Sequence, residues 1–184
     1  MPEVADKGHV IAAATQLFNE RGVQAVGMDA IRDAAGIPLK RLYSFFPSKA
    51  DLISAVLKQR DRDVRRAMAE FVEAQTADPH ERILAVFDYL AHWFAEPDFR
   101  GCMFINSVGE LGGTSTDVRR IARRHKVALR DYLADLAAAA ALPPETGDQL
   151  AILANGAIVA ATIYGDGAEA AGAARQAAAT LITA

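Results

Sequence analysis

From Val10 to Ile182 the apolar residues of this chain recur three and four apart, and glycine or proline interrupts the pattern at helix-length intervals. Such spacing lines one face of an α-helix. Val10, Ile11, Ala14, Leu17 and Phe18 set the first face. Gly22 follows, where a left-handed C-cap would close the helix. Met28, Ile31 and Ala35 set a short second face, ended by Gly36. Pro38 suits the first turn of a third helix, because its missing N–H has no intrahelical partner there. That helix carries Leu39, Leu42 and Tyr43 and stops before Pro47. Ser48 with Asp51 three residues on is a capping-box start for a fourth, predicted to run to about Gln75. Helices over about Pro79–Ala95, Cys102–Leu111, Thr116–Ala141, Pro143–Tyr164 and Ala168–Ile182 complete the pattern, with Pro143 and Pro144 opening the eighth. No segment reads as a strand. The expected fold class is all-α, with about nine helices.

Composition narrows the function. With 184 residues and 52 % hydrophobic content, a packed core is within reach and global disorder is not expected. The single cysteine, Cys102, excludes a disulfide within the chain and a cysteine metal cluster. His9, His80, His92 and His125 have no ligand spacing, so no metal or cofactor is expected. No Ser/His/Asp arrangement, phosphate loop or paired metal carboxylates stand at interpretable spacing, so an enzyme is not expected. Glu3 and Asp6 replace the basic start of a signal peptide. The longest apolar stretch, Leu150 to Gly165, is broken by Asn155 and Thr162 and falls short of the ~20 residues of a membrane span. The expectation is a soluble cytoplasmic protein. Its net charge of −3 is unevenly spread. Residues 1–66 carry 11 lysines and arginines against 8 acids, and residues 67–184 carry 9 against 15. A mildly basic head on an acidic body suits contact with phosphate at one end only.

The two short helices across Met28 to Phe46, joined by a tight glycine turn, form a helix-turn-helix candidate. Its second helix must bury one face and offer the other to the major groove. Leu39, Leu42 and Phe46 suit the buried side, with Lys40, Arg41, Tyr43 and Ser44 outward or at the edge. Lys40 and Arg41 carry donors suited to guanine O6 and N7 or to phosphate, and Tyr43 to phosphate. Lys49, in the first turn of the fourth helix, would add charge beside exposed N–H groups. Geometry alone leaves open that such a hairpin is only packing.

The run Ala13-Ala14-Thr15-Gln16-Leu17-Phe18, Gly22, Ile31, Ala34-Ala35-Gly36-Ile37, Leu42-Tyr43, Phe45-Phe46-Pro47-Ser48-Lys49 and Asp51-Leu52 closely resembles the DNA-binding domain of the tetracycline-repressor (TetR) family. The likeness covers about Val10 to Leu57. Gly101-Cys102-Met103-Phe104-Ile105-Asn106 also looks like a segment that begins the sixth helix in part of that family. The resemblance implies a helix-turn-helix DNA-binding domain over residues 1–48 and a helical ligand-binding and dimerisation domain over residues 49–184. It implies a homodimeric repressor on double-stranded operator DNA, answering to an unknown small-molecule effector. An activator or ligand-independent regulator would show the same head. Val26 and Gly27 depart from the family, which usually has hydroxyl residues there to cap the second helix; Gly27 supplies no hydroxyl.

Beside this, Phe87, Leu90, Trp93, Met103, Asn106 and Glu110 are candidates to line an effector pocket, with Asn106 and Glu110 as polar anchors on one helical face. The plainer reading makes the aromatic and aliphatic members core and lets Asn106 and Glu110 bond helix ends. Leu153, Ala157, Ile158, Ala161, Tyr164, Ala174 and Leu181, on the two small-residue-rich last helices, are candidates for a four-helix dimer interface. The runs Lys58–Arg66 and Arg119–Arg130 read as solvated faces laced with ion pairs.

Overall fold

The structure is a computed structural model. It describes the backbone from residue 2 to 183 and side chains from residue 7 to 183. Met1 and Ala184, the outermost residues of the two expected domains, lie outside that range. Nine helices follow one another among the described residues: α1 (Pro2–Arg21), α2 (Met28–Ala35), α3 (Leu39–Phe45), α4 (Lys49–Gln75), α5 (Pro79–Phe94), α6 (Met103–Leu111), α7 (Thr116–Ala139), α8 (Thr146–Tyr164) and α9 (Gly167–Thr183). They group into two compact units. One comprises residues 1–62 and 103–123; the other comprises residues 63–102 and 124–184.

In the first unit α1 packs on α2, and α2 on α3. Val10, Ala14, Ile31, Leu42, Leu52, Val56 and Leu57 are buried. Each large side chain removed from water in this way contributes about 1.5–3 kcal/mol. Ser48 caps α4 as its spacing predicts: its Oγ accepts from the Asp51 N–H at 3.1 Å and donates to the Asp51 carboxylate at 2.6 Å.

In the second unit α5, α8 and α9 pack on one another. Ile83, Phe87, Leu90, Leu133, Leu150, Ala154 and Ala178 are among its buried residues. Asp78 caps α5 by accepting from the Glu81 N–H at 2.9 Å, and Pro79 fills the first turn. Two glycines mark close approaches between helices. A Cβ on Gly147 would lie 2.6 Å from the Ala134 Cα, and one on Gly167 would lie 2.6 Å from the Phe94 Cβ.

The α7–α8 connection corrects the sequence reading. Pro143 and Pro144 do not open α8, which begins at Thr146. The chain leaves α7 through Ala141, which takes a left-handed φ of 57° without being glycine. Its N–H donates to the Ala138 carbonyl at 3.0 Å, and the Leu142 N–H to the Ala137 carbonyl at 3.0 Å. These two bonds are a Schellman motif. They end the helix before the prolines, which then lie in the turn, where Pro143 accepts from the Thr146 N–H. The expectation that α7 reaches Ala141 fails for the same reason.

By length and hydropathy the 19-residue α8 would also pass as a membrane span. Its inner face is instead core of the second unit, with Leu150, Ala151, Ala154, Ala157, Ile158 and Ala161 buried. Its other face carries Ile152, Val159, Ile163 and Tyr164, which are 71, 45, 73 and 81 % exposed.

Candidate nucleic-acid interface

The turn between α2 and α3 is set by two residues. Gly36 takes φ 61° and ψ 31°, so its N–H bonds Asp33 and the Ile37 N–H bonds Arg32. A side chain at that position would meet the left-handed penalty that glycine avoids. Pro38 then caps α3 in an extended conformation, and its carbonyl accepts from the N–H groups of Arg41 and Leu42 at 2.9 and 3.1 Å. Gly27 caps α2 by backbone shape alone, with no side-chain bond.

Around α3 the faces separate. Leu42, Phe45 and Phe46 are buried, while Lys40, Tyr43 and Ser44 are exposed. Leu39, expected inside, is half-buried, and Phe45 takes the inner position that the sequence reading omitted. A seven-residue helix makes barely two turns, so its inner face shifts by a residue with small changes in how its N-terminus is set. The Arg41 guanidinium lies over the Phe45 ring, 4.5 Å from its centroid. Ser44 Oγ donates to the Arg41 carbonyl at 2.7 Å. Lys7 rests its ammonium 5.2 Å from the Phe46 ring centroid.

Lys49 stands differently from the expectation. It is half-buried, and its Nζ donates to the Gln24 carbonyl at 3.0 Å. Burial lowers its pKa below the ordinary lysine value of 10.5, and the Glu110 carboxylate opposes that shift. Glu110 is therefore not a pocket anchor in this structure. Its carboxylate accepts from the N–H groups of Val23 and Gln24 at 3.2 and 2.7 Å, and its carbonyl accepts from the Gln24 side-chain amide. Sequence reasoning missed Gln24. It lies 86 residues from Glu110 in the chain, and no periodicity signals such a pair.

The other expected pocket residues divide between the units. Phe87 and Leu90 are fully buried in α5 of the second unit. Trp93 there is half-buried and meets Phe99 edge-on at 5.1 Å and Phe94 at 5.7 Å. In the first unit Met103 is buried and Asn106 is exposed.

The expected dimer residues also sort by exposure. Ile158 and Ala161 are buried inside the protomer, against the expectation. Ala157 and Ala174 are buried too, but they form the floor of an open groove of about 550 Å³ between α8 and α9 that Leu153 and Tyr164 also line. Leu181 is half-buried. The exposed apolar residues Ile152, Val159 and Ile163 were missed. An alanine-rich helix is apolar all round, so its pattern gives no register for which face is inner.

The basic runs are solvated only in part: Arg62, Arg65, Arg66, Arg119, Arg120, Arg123, Arg124 and Arg130 are exposed, but Asp61, within the first run, is buried, against the expectation. Arg120 pairs with Asp117 at 2.8 Å, Arg130 with Asp131 at 2.7 Å and Arg66 with Asp63 at 3.3 Å. Lys126 donates to Asn155 at 2.6 Å.

Residues 10–56 match the family model for bacterial regulatory proteins of the tetR family. Among characterised relatives, the chain is similar to the HTH-type transcriptional activator FasR of Mycolicibacterium smegmatis, 32 % identical over 50 % of this chain and 43 % of that protein. It is also similar to the HTH-type transcriptional repressor DhaR of a Mycobacterium species, 30 % identical over 60 % and 54 %. The chain thus spans about half the length of the characterised relatives it matches. Among solved structures, SCO4454, a TetR-family transcriptional regulator from Streptomyces coelicolor, superposes with a TM-score of 0.89 at 26 % identity, covering 97 % of this chain and 94 % of that one. The reduced form of Escherichia coli NemR shares the fold at a TM-score of 0.84 and 20 % identity, over 96 % of each chain.

Proposed function

The chain belongs to the TetR family of transcriptional regulators, and from that premise we propose that it binds operator DNA as a homodimer and represses transcription until a small molecule releases it. The observation that carries this reading is the split surface of α3. Leu42 and Phe45 anchor it in the head, while Lys40, Tyr43 and Ser44 stand exposed and Arg41 lies at the edge. That is the requirement for a helix that enters the major groove. In this reading residues 1–48 bind DNA, residues 49–184 sense the effector and dimerise, and the protein acts in the cytoplasm.

Dimerisation is supported by the outer face of α8. Ile152, Val159 and Ile163 lie on one side of the helix beside Gly156 and Ala160. Apolar side chains this exposed and this contiguous mark an interaction surface. A dimer of helix-turn-helix heads reads two half-sites about 34–36 Å apart.

The relatives carry both signs of regulation in their names: FasR is an activator, and DhaR and NemR are repressors. An activator or a ligand-independent regulator is accordingly the second reading. A selection from random duplexes, followed by a reporter fused to the recovered promoter in strains with and without the protein, tests both. Repression predicts a reporter that rises on deletion. A reporter that falls makes the protein an activator, and a selection that recovers no duplex overturns the DNA-binding reading.

A further inference from the structure

The connection between α1 and α2 is built to hold an anion, and a side chain from the same unit already fills it. Gly22 turns the chain with a left-handed φ of 82°. The N–H groups of Val23 and Gln24 then converge on the Glu110 carboxylate at 3.2 and 2.7 Å. Successive backbone N–H groups after a left-handed residue form a nest that favours negative charge. Two further bonds close around it. The Gln24 side-chain amide donates to the Glu110 carbonyl, and Lys49 donates to the Gln24 carbonyl at 3.0 Å. A side chain at Gly22 would be strained by the left-handed φ, and its Cβ, 2.9 Å from Glu110 Oε1, would push the carboxylate from its seat.

We propose that Glu110 is a positioning residue for DNA binding: it fastens the end of α6 to the α1–α2 connection and so fixes where α2 begins and where Lys49 points. This rests on the DNA-binding reading above. Val23 is buried, and a buried N–H that loses its acceptor carries the full cost of desolvation. The connection therefore has one low-energy arrangement while Glu110 is seated and several when it is not. Recognition needs α2 and α3 held in place before the duplex arrives, because ordering them on binding subtracts from affinity. It follows that Lys49 serves the clasp first. The nest, being occupied by a carboxylate, is not a phosphate site.

Amide hydrogen exchange on DNA-free wild type, Glu110→Gln and Glu110→Ala tests the clasp. The amides of Val23 and Gln24 should exchange faster in both variants, more so in the alanine one, while those of Phe18 and Leu42 stay protected. Affinity for a selected duplex should fall by roughly 5- to 150-fold, the usual range for coupled sites. The slope of log affinity against log salt should not change, because Glu110 touches no phosphate in this account. Gly22→Ala should reproduce both effects. Unchanged exchange at Val23 and Gln24 overturns the clasp. A rise in step at Phe18 and Leu42 reduces Glu110 to a general stabiliser and overturns it too. Freed amides with unchanged or raised affinity, or an altered salt slope, overturn the positioning role. If the wild type binds no duplex, the DNA-binding reading and the functional half of this proposal fall together, while exchange still decides whether the clasp exists.

Discussion

The guanidinium of Arg41 lies over the ring of Phe45, 4.5 Å from its centroid and one helical turn away along α3. Phe45 is buried, so its ring is a packed apolar plate against which Arg41 rests at the edge of the exposed face. If Arg41 or Lys40 reads a base, replacing it with alanine should cost about 1–3 kcal/mol against the preferred duplex and relax selectivity at one position. Phe45→Leu keeps the apolar bulk and removes the π face, so it should cost about 0.5–1 kcal/mol of the same specific binding. Fluorescence anisotropy on matched and point-substituted duplexes measures both. Phe45→Leu binding like wild type while Arg41→Ala is impaired would show the stacking to be incidental.

The outer face of α8 gives a second prediction. Ile163 is 73 % exposed in the protomer, so a charge there costs the isolated fold little. Ile163→Glu should give folded monomers by sedimentation and lose operator affinity at the same time. Ala161 is 4 % exposed, and a charge there has no place to go. Ala161→Glu should instead lower the denaturation midpoint, since burying an unpaired charge is strongly unfavourable. A dimeric Ile163→Glu variant moves the interface elsewhere.

Two backbone positions give opposite stability changes. Ala141 occupies a left-handed cap that glycine fills at lower cost, so Ala141→Gly should stabilise by about 1 kcal/mol. A Cβ added at Gly147 would lie 2.6 Å from the Ala134 Cα, so Gly147→Ala should destabilise by about 1–3 kcal/mol through overpacking. Chemical denaturation of the two variants beside wild type measures both signs.

Lys49 carries a pH signature. Burial holds its folded pKa below the 10.5 of an unperturbed lysine, with Glu110 opposing the shift. The unfolded chain therefore keeps this proton to higher pH than the folded one. Stability from this group is present above 10.5 and is lost as pH falls through the folded value. As pH rises toward 10.5, wild type should gain stability relative to Lys49→Met. Parallel urea midpoints for the two proteins would contradict the assignment.

What could be read from the sequence was local. Gly22, Gly36, Ser48 and Pro79 each announce a helix end through their own backbone or side-chain chemistry, and each does so in the structure. Leu42 is legible because a strongly apolar residue among Lys40, Arg41 and Ser44 has one face to take. The inner face of α8 is not legible, because Ala157, Ala160 and Ala161 look alike to any periodicity. Ala141 was hidden because a left-handed cap without glycine has no sequence signal. The Glu110 clasp was beyond reach for a different reason. Its partners lie 86 and 87 residues away, and they are backbone N–H groups that any residue would supply.

The central claim is that the split face of α3 reads operator DNA from a dimer. The direct test is a titration of a selected duplex with wild-type protein across salt concentrations, with sedimentation of the complex. The account predicts two protomers per site and sequence-selective binding that weakens steeply and linearly in log salt. It also predicts that Arg41→Ala loses the preference for the selected duplex over a scrambled one. Equal affinity for selected and scrambled duplexes at every salt concentration, or a single protomer saturating the site, would contradict it.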